Sequence, residues 1–485
     1  MLFNKIHFLK AIGYKLTKVY NKNSIKMKKI LIIGAGRSAT SLIHYLLGHA
    51  ETHDWQITVA DAALELAEDK VEGYSRGTAV TFNALDPAER LPYLEDADFV
   101  VSMLPAHLHI HVAKDCLKLG KNLATASYVS AELKALDEEV KEKGLIFLNE
   151  IGLDPGIDHM SAMQMINGIR AKGGKISAFY SYTGGLVAPE SDTNPWHYKF
   201  SWNPRNVILA GQGISQYLYE GRYRHTPYHR LFSKSDLVYI PTMGWYDAYP
   251  NRTSLKYKDS YGLEDIPTIM RGTLRYKGFC KAWDILVRLG LTDDTYRMAY
   301  SDDLTYREWM RSYLSPTLER VGYGTLRTQI ATLFNLNQAD EALDKLEWLG
   351  LFSDEKIPLD EATSAQILQE LLERKWKLEP DDKDMILMQH EVEYELDNQK
   401  KRHISTLVLC GENSENTAMA KLVGLPLAIG VKNILLGNIK SKGVLIPITA
   451  EIYEPVMKEL GELGVSFSST DVDLESFNEY FSEER

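Results

Sequence analysis

The chain has 485 residues, of which 45% are hydrophobic, and a formal net charge of −11 at pH 7. This length and apolar content predict a globular protein of about two or three domains, and the negative charge argues against general binding to nucleic acid or to an anionic membrane, since both need basic surface. No apolar run in the sequence is long enough to span a bilayer. The cysteines, Cys116, Cys280 and Cys410, lie far apart, which predicts neither a disulfide framework nor a thiolate metal site and favours a cytoplasmic location.

The beginning of the chain differs from the rest in composition. Residues 1–26 contain six lysines and no acidic residue, and Met27 follows them. We interpret residues 1–27 as an N-terminal extension outside the fold, with Met27 as a plausible start. A targeting or membrane-surface helix is the alternative, although the continuous apolar core and cleavage site of a secretory signal are missing from this segment.

A glycine-rich turn follows the first predicted strand. Lys28–Ile33 is a branched apolar run that predicts a strand buried on both faces, and an amphipathic helix follows the turn. This is the pattern of a dinucleotide-binding loop, in which the N–H groups at the helix start face the pyrophosphate. Gly34 permits the tight bend, Gly36 lets the backbone approach the phosphates, and Ala39 is small enough for close packing. The predicted cofactor contacts of this loop are Gly34, Ala35, Gly36, Arg37, Ser38 and Ala39.

The second predicted strand, Gln56–Ala60, ends at Asp61. A carboxylate at this position can accept a hydrogen bond from the adenosine ribose, and it would repel the 2′-phosphate of NADP. Ala62 supplies no arginine to offset this repulsion. We therefore predict NAD as the cofactor, with NADP as the alternative.

Four more apolar segments alternate with helical ones and predict an α/β fold with a parallel, doubly wound sheet of the Rossmann type. The predicted strands are Ala79–Phe82, Asp98–Met103, Asn122–Thr125 and Leu145–Leu148. Loops that follow such strands line the cofactor crevice. The loop residues expected there are Asn83, Ala84, Leu104, Pro105, Ala126, Ser127 and Tyr128, and the segment from Asn149 onward.

Three histidines, His107, His109 and His111, lie close together after Pro105. In a helix His107 and His111 share a face while His109 points elsewhere, and no third metal ligand is apparent. We interpret them as histidines of a helix surface rather than as a metal site.

The richest polar stretch is Asn149–His159. We predict that Asp154 is the N-cap and Pro155 the first residue of a helix that runs through Met160 to Ile169. A capping carboxylate at the end of a sheet strand lies where this architecture places its active site. Asp154 is therefore also a candidate functional residue.

The central part of the chain predicts a strand, an aromatic loop and two arginine-containing segments. The strand spans 176–186 and is expected to end in a turn at Gly184-Gly185. The loop 194–202 is rich in aromatic residues, which belong equally well to a core or to a pocket wall. Arginines in 249–252 and 271–276 favour a substrate with several carboxylates, and surface ion pairs are the alternative.

Helical apolar spacing from about Phe279 to Arg374 predicts a helical insertion. The segments 385–396 and 403–410 flank the polar residues 397–402 and predict a pair of strands joined by a short loop. Two further helices are predicted near 417–423 and 455–463.

Taken together, residues 28–470 resemble the glutamate-forming saccharopine dehydrogenase family, also called saccharopine reductases. The motifs that carry this resemblance are Ala126-Ser127-Tyr128, Asn149–His159, Tyr198–Trp202, Tyr249–Arg252, Arg271–Tyr276 and Trp348–Phe352. The resemblance implies that saccharopine is oxidised by hydride transfer to a nicotinamide and that the resulting imine is hydrolysed to glutamate and aminoadipate semialdehyde.

The resemblance also implies a domain organisation. It places the Rossmann-type dinucleotide domain at 28–127 plus about 420–470, and an α/β substrate domain at 128–278 plus about 375–419. The helical insertion takes 279–374. A homodimer is compatible with this arrangement, and a small amino-acid substrate is the expected partner.

Roles of single residues follow from the same resemblance. Substrate binding is expected of Ser127, Tyr128, Arg252, Thr273, Leu274 and Arg275, and positions near the nicotinamide are expected of Leu104, Ala126 and Asp154. Tyr128 and Asp154 are the candidates for proton transfer, with water or the substrate amine as alternatives.

The chain departs from the family pattern at two places. Thr183 stands where the family commonly has cysteine, so a thiol is excluded there, and Asp61-Ala62 stands where fungal relatives carry Cys-Arg, which favours NAD. The alternative functions are a related imine reductase, such as a carboxynorspermidine dehydrogenase, and a nucleotide-sensing protein without turnover.

Overall fold

The structure is a computed structural model that describes residues 27–317 and 324–477. Of the predicted N-terminal extension, residues 1–26 lie outside the described part. The chain divides into two compact units, the first made of Met1–Ala35 and Ile43–Leu123 and the second of Gly36–Leu42 and Ala124–Arg485. The division crosses the glycine-rich turn between Ala35 and Gly36.

The first unit is built on parallel strands with the order β5-β4-β1-β2-β3. Ile30, Leu31, Ile32 and Ile33 in β1 are at most 2% exposed, as expected for a strand covered on both faces. The strands are β1 (Lys28–Ile33), β2 (Trp55–Asp61), β3 (Gly77–Thr81), β4 (Phe99–Ser102) and β5 (Asn122–Ala124). The helices between them are α1 (Thr40–His53), α2 (Leu64–Val71), α3 (Pro87–Asp96) and α4 (His109–Leu119).

The second unit contains the other strands and helices. Its strands are β6 (Ile146–Leu148), β7 (Lys175–Val187), β8 (Ile214–Tyr219), β9 (Arg222–Pro227), β10 (Asp236–Ile240), β11 (Gly244–Pro250), β12 (Thr268–Tyr276), β13 (Arg297–Met298), β14 (Ala362–Thr363), β15 (Asp384–Leu396), β16 (Gln399–Cys410), β17 (Gly443–Leu445) and β18 (Ser468–Asp473). Its helices are α5 (Ala131–Lys134), α6 (Asp137–Glu142), α7 (Ile157–Ala171), α8 (Pro204–Ile208), α9 (Lys256–Ser260), α10 (Phe279–Leu289), α11 (Tyr306–Ser312), α12 (Leu326–Phe334), α13 (Glu341–Leu349), α14 (Ser364–Lys375), α15 (Ala418–Leu435) and α16 (Ala450–Glu462).

Two sheets give the second unit its frame. Strands β6 and β17 pair in parallel. A mixed sheet of nine strands has the order β10-β11-β12-β7-β15-β16-β18, with β8 on β12 and β9 on β8. The predicted α/β fold class, with a doubly wound parallel sheet and a second α/β region, is confirmed.

The turn predicted at Gly184-Gly185 is wrong, because β7 continues through both glycines to Val187. A Cβ on Gly184 would lie 2.9 Å from the Cβ of Leu274, and one on Gly185 would lie 2.9 Å from the Cε of Met419. Both glycines therefore permit close packing within a strand rather than a change of direction.

The predicted pair of strands at 385–396 and 403–410 is confirmed as the antiparallel pair β15 and β16. The loop is shorter than predicted, since Leu396 pairs with Gln399 and only Asp397 and Asn398 lie between them. These two residues have φ angles of 52° and 60°, the left-handed values that a two-residue hairpin turn requires.

The helix predicted near 417–423 is much longer than expected and forms α15, while the one predicted at 455–463 begins earlier, at Ala450. With 18 residues and a mean hydropathy of 1.5, α15 is long and apolar enough to cross a membrane, so the prediction that no apolar run has this length is wrong. However, 78% of this segment is buried inside the structure. Its apolar composition is thus explained by a position in the core of the second unit.

The aromatic loop at 194–202 contributes to a core rather than to a pocket wall. Trp196, Tyr198 and Phe200 are at most 3% exposed and pack with aromatic residues of the helical segment. The ring of Trp196 lies 5.3 Å from that of Trp376, and its Nε1 donates a hydrogen bond of 2.8 Å to the Lys345 carbonyl. Residues 279–374 contain helices α10 to α14, and the predicted domain bounds stay a prediction.

A buried histidine gives the fold a pH dependence that can be measured. His390 is fully buried, its Nε2 lies 2.7 Å from the Ser161 hydroxyl, and burial followed by the charge of Arg271 lowers its pKa to about 3. The neutral ring is therefore favoured by folding, and stability is lost as pH falls below the unfolded pKa of about 6.5. Between pH 7 and pH 5 this one group should cost about 2 kcal/mol.

The test compares the fall in melting temperature from pH 7 to pH 5 in wild type and in His390→Gln. We expect a smaller fall in the variant, whatever its stability at pH 7, because glutamine does not titrate. His111→Gln removes an exposed histidine of α4 and serves as the control. Equal falls in wild type and His390→Gln would contradict the prediction.

Candidate active site

The loop between β6 and α7 carries Asp154, and the predicted N-cap role of this residue is wrong. Helix α7 begins at Ile157 and its N-cap is Gly156, not Asp154. Gly156 has a φ of 147°, and a Cβ there would collide with the backbone of Gly152. The chain therefore makes a tight loop from Gly152 to Gly156 before the helix starts.

Instead of capping a helix, Asp154 joins a set of polar side chains from four segments. The Tyr128 hydroxyl donates to Asp154 Oδ1 at 3.0 Å, and Arg271 Nη2 donates to the same oxygen. Arg271 also donates to Asp158 Oδ2 at 2.8 Å through Nη2 and to the Tyr257 hydroxyl at 2.7 Å through Nη1. We call Tyr128, Asp154, Asp158, Tyr257 and Arg271 the Asp154 cluster.

The charges of the Asp154 cluster are set by its arginine. Arg271 is 4% exposed. Burial alone would raise the pKa of Asp154, but Arg271 and the Tyr128 hydroxyl outweigh it and hold this pKa below its usual range. Burial and the charge of Asp154 raise the pKa of Asp158, and burial raises the pKa of Tyr128 well above its ordinary value. The cluster thus holds an ionised Asp154 and a protonated phenol that donates to it.

Glu150 fixes the loop that carries Tyr128. It is 5% exposed and has a φ of 53°, which is unusual for a residue other than glycine. Its backbone N–H donates to the Ser127 carbonyl at 3.1 Å, and its carboxylate accepts from the Val129 N–H at 2.9 Å. The other carboxylate oxygen lies 2.9 Å from His159 Nε2. Glu150 therefore holds the backbone on both sides of Tyr128.

Two cations lie over the ring of Tyr128. The Arg252 guanidinium carbon is 5.6 Å from the ring centroid, and the Lys256 Nζ is 4.6 Å from it. Neither side chain forms an ion pair with a carboxylate in residues 27–317 and 324–477. Acidic groups nearby are already paired, since Arg271 holds Asp154 and Asp158.

Alternate residues of a strand point to the same side, so Arg271, Thr273 and Arg275 share one face of β12. Leu274 points to the other face and is buried. Arg275 is 3% exposed and its guanidinium carbon lies 5.1 Å from the Tyr198 ring. Within the described residues no hydrogen bond, ion pair or ring contact joins Arg275 to the Asp154 cluster. The structure thus brings Tyr128, Asp154 and Arg252 together, and not Arg275.

In the first unit the predicted cofactor residues form a tight turn at the end of β1. Gly34 has a φ of 109°, and a Cβ there would lie 2.9 Å from the Met103 carbonyl oxygen. The Ala35 N–H donates to Asp61 Oδ2 at 2.7 Å, and the Ala63 N–H donates to Asp61 Oδ1 at 3.1 Å. Asp61 therefore ends β2 as predicted, with both carboxylate oxygens held by backbone groups.

Other predicted cofactor residues of the first unit lie in loops after strands. Asn83 is exposed, and its side chain accepts from the Leu85 N–H at 3.0 Å. The Ala84 carbonyl accepts from Arg90 Nη1 at 2.9 Å. Leu104 and Pro105 follow β4, and Pro105 is exposed. Each of these loops follows a strand, as the sequence predicts.

In the second unit, the rest of the glycine-rich turn precedes α1. Arg37, Ser38 and Ala39 form a short 3-10 helix after Gly36, and Ala39 is 1% exposed. Gly36 and Arg37 are exposed. A Cβ on Gly36 would contact nothing within 4 Å, so the protein itself does not require glycine there. An open position of this kind suits close approach of a ligand.

Ala126 and Ser127 follow β5 directly. Ser127 is held by the Glu150 N–H through its carbonyl. Ala126 packs against Gly152, where an added Cβ would lie 2.9 Å from the Ala126 side chain. The loop 126–128 is thus fixed from two sides by the segment 150–152.

One interpretation of the histidines is corrected. His107 and His111 are exposed as predicted, but His109 is 4% exposed, and its Nδ1 lies 2.8 Å from the Ser102 hydroxyl. Burial, followed by the charge of His107, lowers the pKa of His109 to about 4. His109 is therefore a neutral core residue. Throughout the described ranges no group of three His, Cys, Asp or Glu residues is arranged to hold a metal ion.

Two known family domains together match most of the chain. Residues 30–148 match the saccharopine dehydrogenase NADP binding domain, and residues 152–465 match the saccharopine dehydrogenase C-terminal domain. The chain belongs to the saccharopine dehydrogenase family. The resemblance predicted from the motifs is thereby confirmed.

Relatives of this family are similar over most of the chain. A saccharopine dehydrogenase [NADP(+), L-glutamate-forming] from Pyricularia oryzae is 34% identical over 90% of this chain and 97% of its own. The alpha-aminoadipic semialdehyde synthase of Arabidopsis thaliana is 35% identical over 94% of this chain, which spans only 46% of that protein. The solved apo saccharopine dehydrogenase (L-Glu forming) from Saccharomyces cerevisiae has a TM-score of 0.82 and 32% identity, and covers 92% of this chain and 100% of its own.

Sequence reasoning missed several members of the site. Asp158 and Glu150 lie in the polar stretch 149–159, and Arg271 lies in one of the arginine segments, so both regions carried a signal but no specific role. Lys256 and Tyr257 had no signal at all. Lys256 matters through its contact with Tyr128, which is far away in the sequence, and Tyr257 through its hydrogen bond with Arg271, 14 residues later.

Proposed function

We propose that this protein is an NAD(P)-dependent oxidoreductase that interconverts saccharopine with glutamate and aminoadipate semialdehyde. The observation that carries this proposal is the alignment with the Pyricularia oryzae enzyme, which extends over 97% of that enzyme at 34% identity. A shared activity requires shared chemistry at the site as well as a shared fold. Three features of the candidate site support the proposal.

First, the site offers cations to a substrate with several carboxylates. Arg252 is exposed beside Tyr128, and among the described residues it has no acidic partner. Its φ of 50° lies in the left-handed region, which costs a residue with a side chain about 1 kcal/mol. An arginine retained in this conformation supports a role for its side chain in ligand binding.

Second, the Asp154 cluster can hold a polar reaction centre. Asp154 is kept ionised by Arg271, and an anion beside the substrate stabilises a protonated amine or iminium. The same low pKa makes Asp154 a poor proton acceptor at neutral pH. We therefore assign Asp154 to charge stabilisation and to orienting the Tyr128 hydroxyl, with the amine of the substrate or water carrying the proton.

Third, the glycine-rich turn and Asp61 suit a dinucleotide. A bound nicotinamide would accept the hydride that leaves the carbon next to the secondary amine. We propose the predicted residues Gly34 to Ala39, Asp61, Asn83, Ala84, Leu104, Pro105, Ala126, Ser127 and Asp154 as its contacts, and Ser127, Tyr128, Arg252 and Thr273 to Arg275 as substrate contacts. The predicted domains, with a helical insertion at 279–374, belong to the same proposal.

A homodimer in the cytoplasm completes the proposal. Relatives are named both with and without a mitochondrial location, so the compartment needs a direct measurement. Light scattering of the purified protein tests the dimer, and a tagged full-length chain located by microscopy tests the compartment.

The activity is tested by absorbance at the nicotinamide band with purified protein. We expect cofactor reduction with saccharopine and cofactor oxidation with glutamate plus aminoadipate semialdehyde. Turnover with a carboxylated polyamine and not with saccharopine would favour the rival imine reductase. Cofactor binding without turnover of any amine in the panel would favour a nucleotide-sensing protein.

Arg252 is predicted to bind a substrate carboxylate. Charge-assisted hydrogen bonds contribute about 1.5–3 kcal/mol, so Arg252→Ala should lower kcat/KM for saccharopine about tenfold or more while the Kd of the cofactor is unchanged. Arg224→Ala, which removes an exposed arginine from β9, is the matched control. A KM for saccharopine that is the same in both variants would remove Arg252 from the site.

A further inference from the structure

A second cation accompanies Arg252 at the ring of Tyr128, and no sequence motif pointed to it. Lys256 is the first residue of the short helix α9, four residues after Arg252. Its Nζ lies 4.6 Å from the centroid of the Tyr128 ring and 5.2 Å from that of Tyr257. Both rings belong to the Asp154 cluster, so the ammonium group lies directly at the candidate site.

The pairing of charges leaves Lys256 available to a ligand. Glu150 is bound to His159 and to the Val129 N–H, and Arg271 takes Asp154 and Asp158. No carboxylate of the described ranges forms an ion pair with Lys256. A cation next to a second cation, Arg252, and over an aromatic ring is a favourable place for an added anion.

We propose that Lys256 is a substrate-binding residue that holds a carboxylate of the substrate together with Arg252. This inference rests on the proposed function, because it assigns a contact within the same reaction. The two residues differ in what they contribute. The planar arginine gives two-point geometry, whereas the lysine acts as a compact charge on a flexible stem.

The protonation state of Lys256 supplies a signature that a purely structural residue would not have. Burial lowers the pKa of its ammonium group, Arg271 and Arg252 lower it further, and Glu150 opposes them. The groups that face it are Glu150, Asp158, Arg252, Arg271, Tyr128 and Tyr257. Carboxylate binding needs the protonated form, so affinity should be lost as pH rises through this lowered pKa.

The first experiment measures binding of glutarate by calorimetry to the full chain with NAD present, the cofactor that Asp61 is predicted to favour. Glutarate carries two carboxylates and no amine, so it reports on carboxylate recognition without turnover. Lys256→Met keeps the length of the side chain and removes the charge. We expect about tenfold weaker binding in this variant and unchanged binding in Lys258→Met, a neighbouring lysine of the same helix.

The second experiment follows KM for saccharopine against pH in wild type, Lys256→Met and Lys256→Arg. KM should rise about tenfold in Lys256→Met with a smaller change in kcat, and Lys256→Arg should restore most of the loss. The alkaline rise in KM should move to higher pH in Lys256→Arg, since guanidinium stays protonated.

The two proposals fail separately. Wild-type protein without saccharopine turnover would overturn the proposed function. Equal glutarate affinity in wild type and Lys256→Met, measured on protein with unchanged cofactor affinity, would overturn the role of Lys256. An alkaline KM profile that is identical in wild type and Lys256→Arg would also overturn it.

Discussion

Replacing Arg271 by methionine should lower the free energy of unfolding by about 3–5 kcal/mol, because it leaves buried carboxylates without their cation. Arg271 is 4% exposed, and it donates to both Asp154 and Asp158, of which Asp158 is 1% exposed. Methionine replaces the unbranched stem of the arginine and removes the guanidinium group. The loss therefore combines the missing charge with the space that the guanidinium leaves, and the pH dependence separates the two.

Denaturant unfolding at pH 7 measures this effect, and two variants control for it. Arg288→Met breaks a pair that is half exposed, with Arg288 Nη1 3.5 Å from Asp284 Oδ2, and should cost much less. The double variant Arg271→Met with Asp158→Asn removes one of the two uncompensated charges. It should recover part of the stability that the single variant loses.

The pH dependence of the Arg271→Met variant separates charge from packing. Without the arginine, the folded pKa of Asp154 and of Asp158 should rise above the unfolded value near 3.9. A carboxyl group with a raised folded pKa binds protons more readily in the folded state, so the deficit should shrink as pH falls from 7 toward 5. A deficit below about 1 kcal/mol at pH 7, or one that does not change with pH, would show that Arg271 is not the essential counter-charge.

The sequence predicted those parts of the fold that depend on local patterns. The strand Lys28–Ile33 is apolar over its whole length, and the glycine-rich turn after it needs specific backbone angles at Gly34. The hairpin β15–β16 has two long apolar segments around a polar turn. The residues of each pattern lie within about ten positions of one another, so the pattern favours the same local structure whatever distant segments do.

The misjudged elements depend on packing with distant segments. Gly184-Gly185 has the composition of a turn. Glycine is needed there because a side chain would come too close to Leu274 of β12 or to Met419. Asp154 followed by proline looks like a helix cap until the carboxylate is found on Arg271, more than a hundred residues later. A local pattern gives the candidates, and long-range contacts decide between them.

The candidate site shows the same limit. Tyr128, Asp154 and Arg252 were predicted through resemblance and lie together in the structure. Arg271 was noticed only as part of an arginine-rich segment, although it holds the cluster together. The sequence did not identify Lys256 as a site residue, because no local pattern distinguishes a single lysine on a short helix from a surface residue.

Cofactor choice is expected to depend on Asp61, with higher catalytic efficiency for NADH than for NADPH. The relatives from Pyricularia oryzae and Saccharomyces cerevisiae are named for NADP(+), so this expectation sets the chain apart from those two. Asp61 accepts hydrogen bonds from the Ala35 and Ala63 N–H groups. These two contacts fix the carboxylate at the end of β2, where a ribose 2′-phosphate would meet it.

The size of the effect follows from Coulomb repulsion. Two like charges about 4 Å apart repel by about 4 kcal/mol at an effective dielectric of 20, and solvent reduces this further. A preference of tenfold or more for NADH corresponds to about 1.4 kcal/mol and is well within that range. Ala62 supplies no counter-charge, and the exposed Arg37 is the one cation of the glycine-rich turn, residues 34–39.

The measurement is kcat/KM for NADH and NADPH at one pH and one salt concentration, in wild type and in Asp61→Asn. Asparagine keeps an oxygen for one backbone N–H and removes the charge, so the turn is preserved better than by alanine. We expect the ratio of kcat/KM for NADH to kcat/KM for NADPH to fall at least about tenfold in Asp61→Asn. The ratio should stay unchanged in Asp69→Asn, which removes an exposed carboxylate of α2. Raising the salt concentration should narrow the wild-type preference and leave that of Asp61→Asn nearly constant, because screening acts only on a charge that is present. Equal or higher efficiency with NADPH in the wild type would defeat this prediction and point to Arg37 as the group that receives the 2′-phosphate.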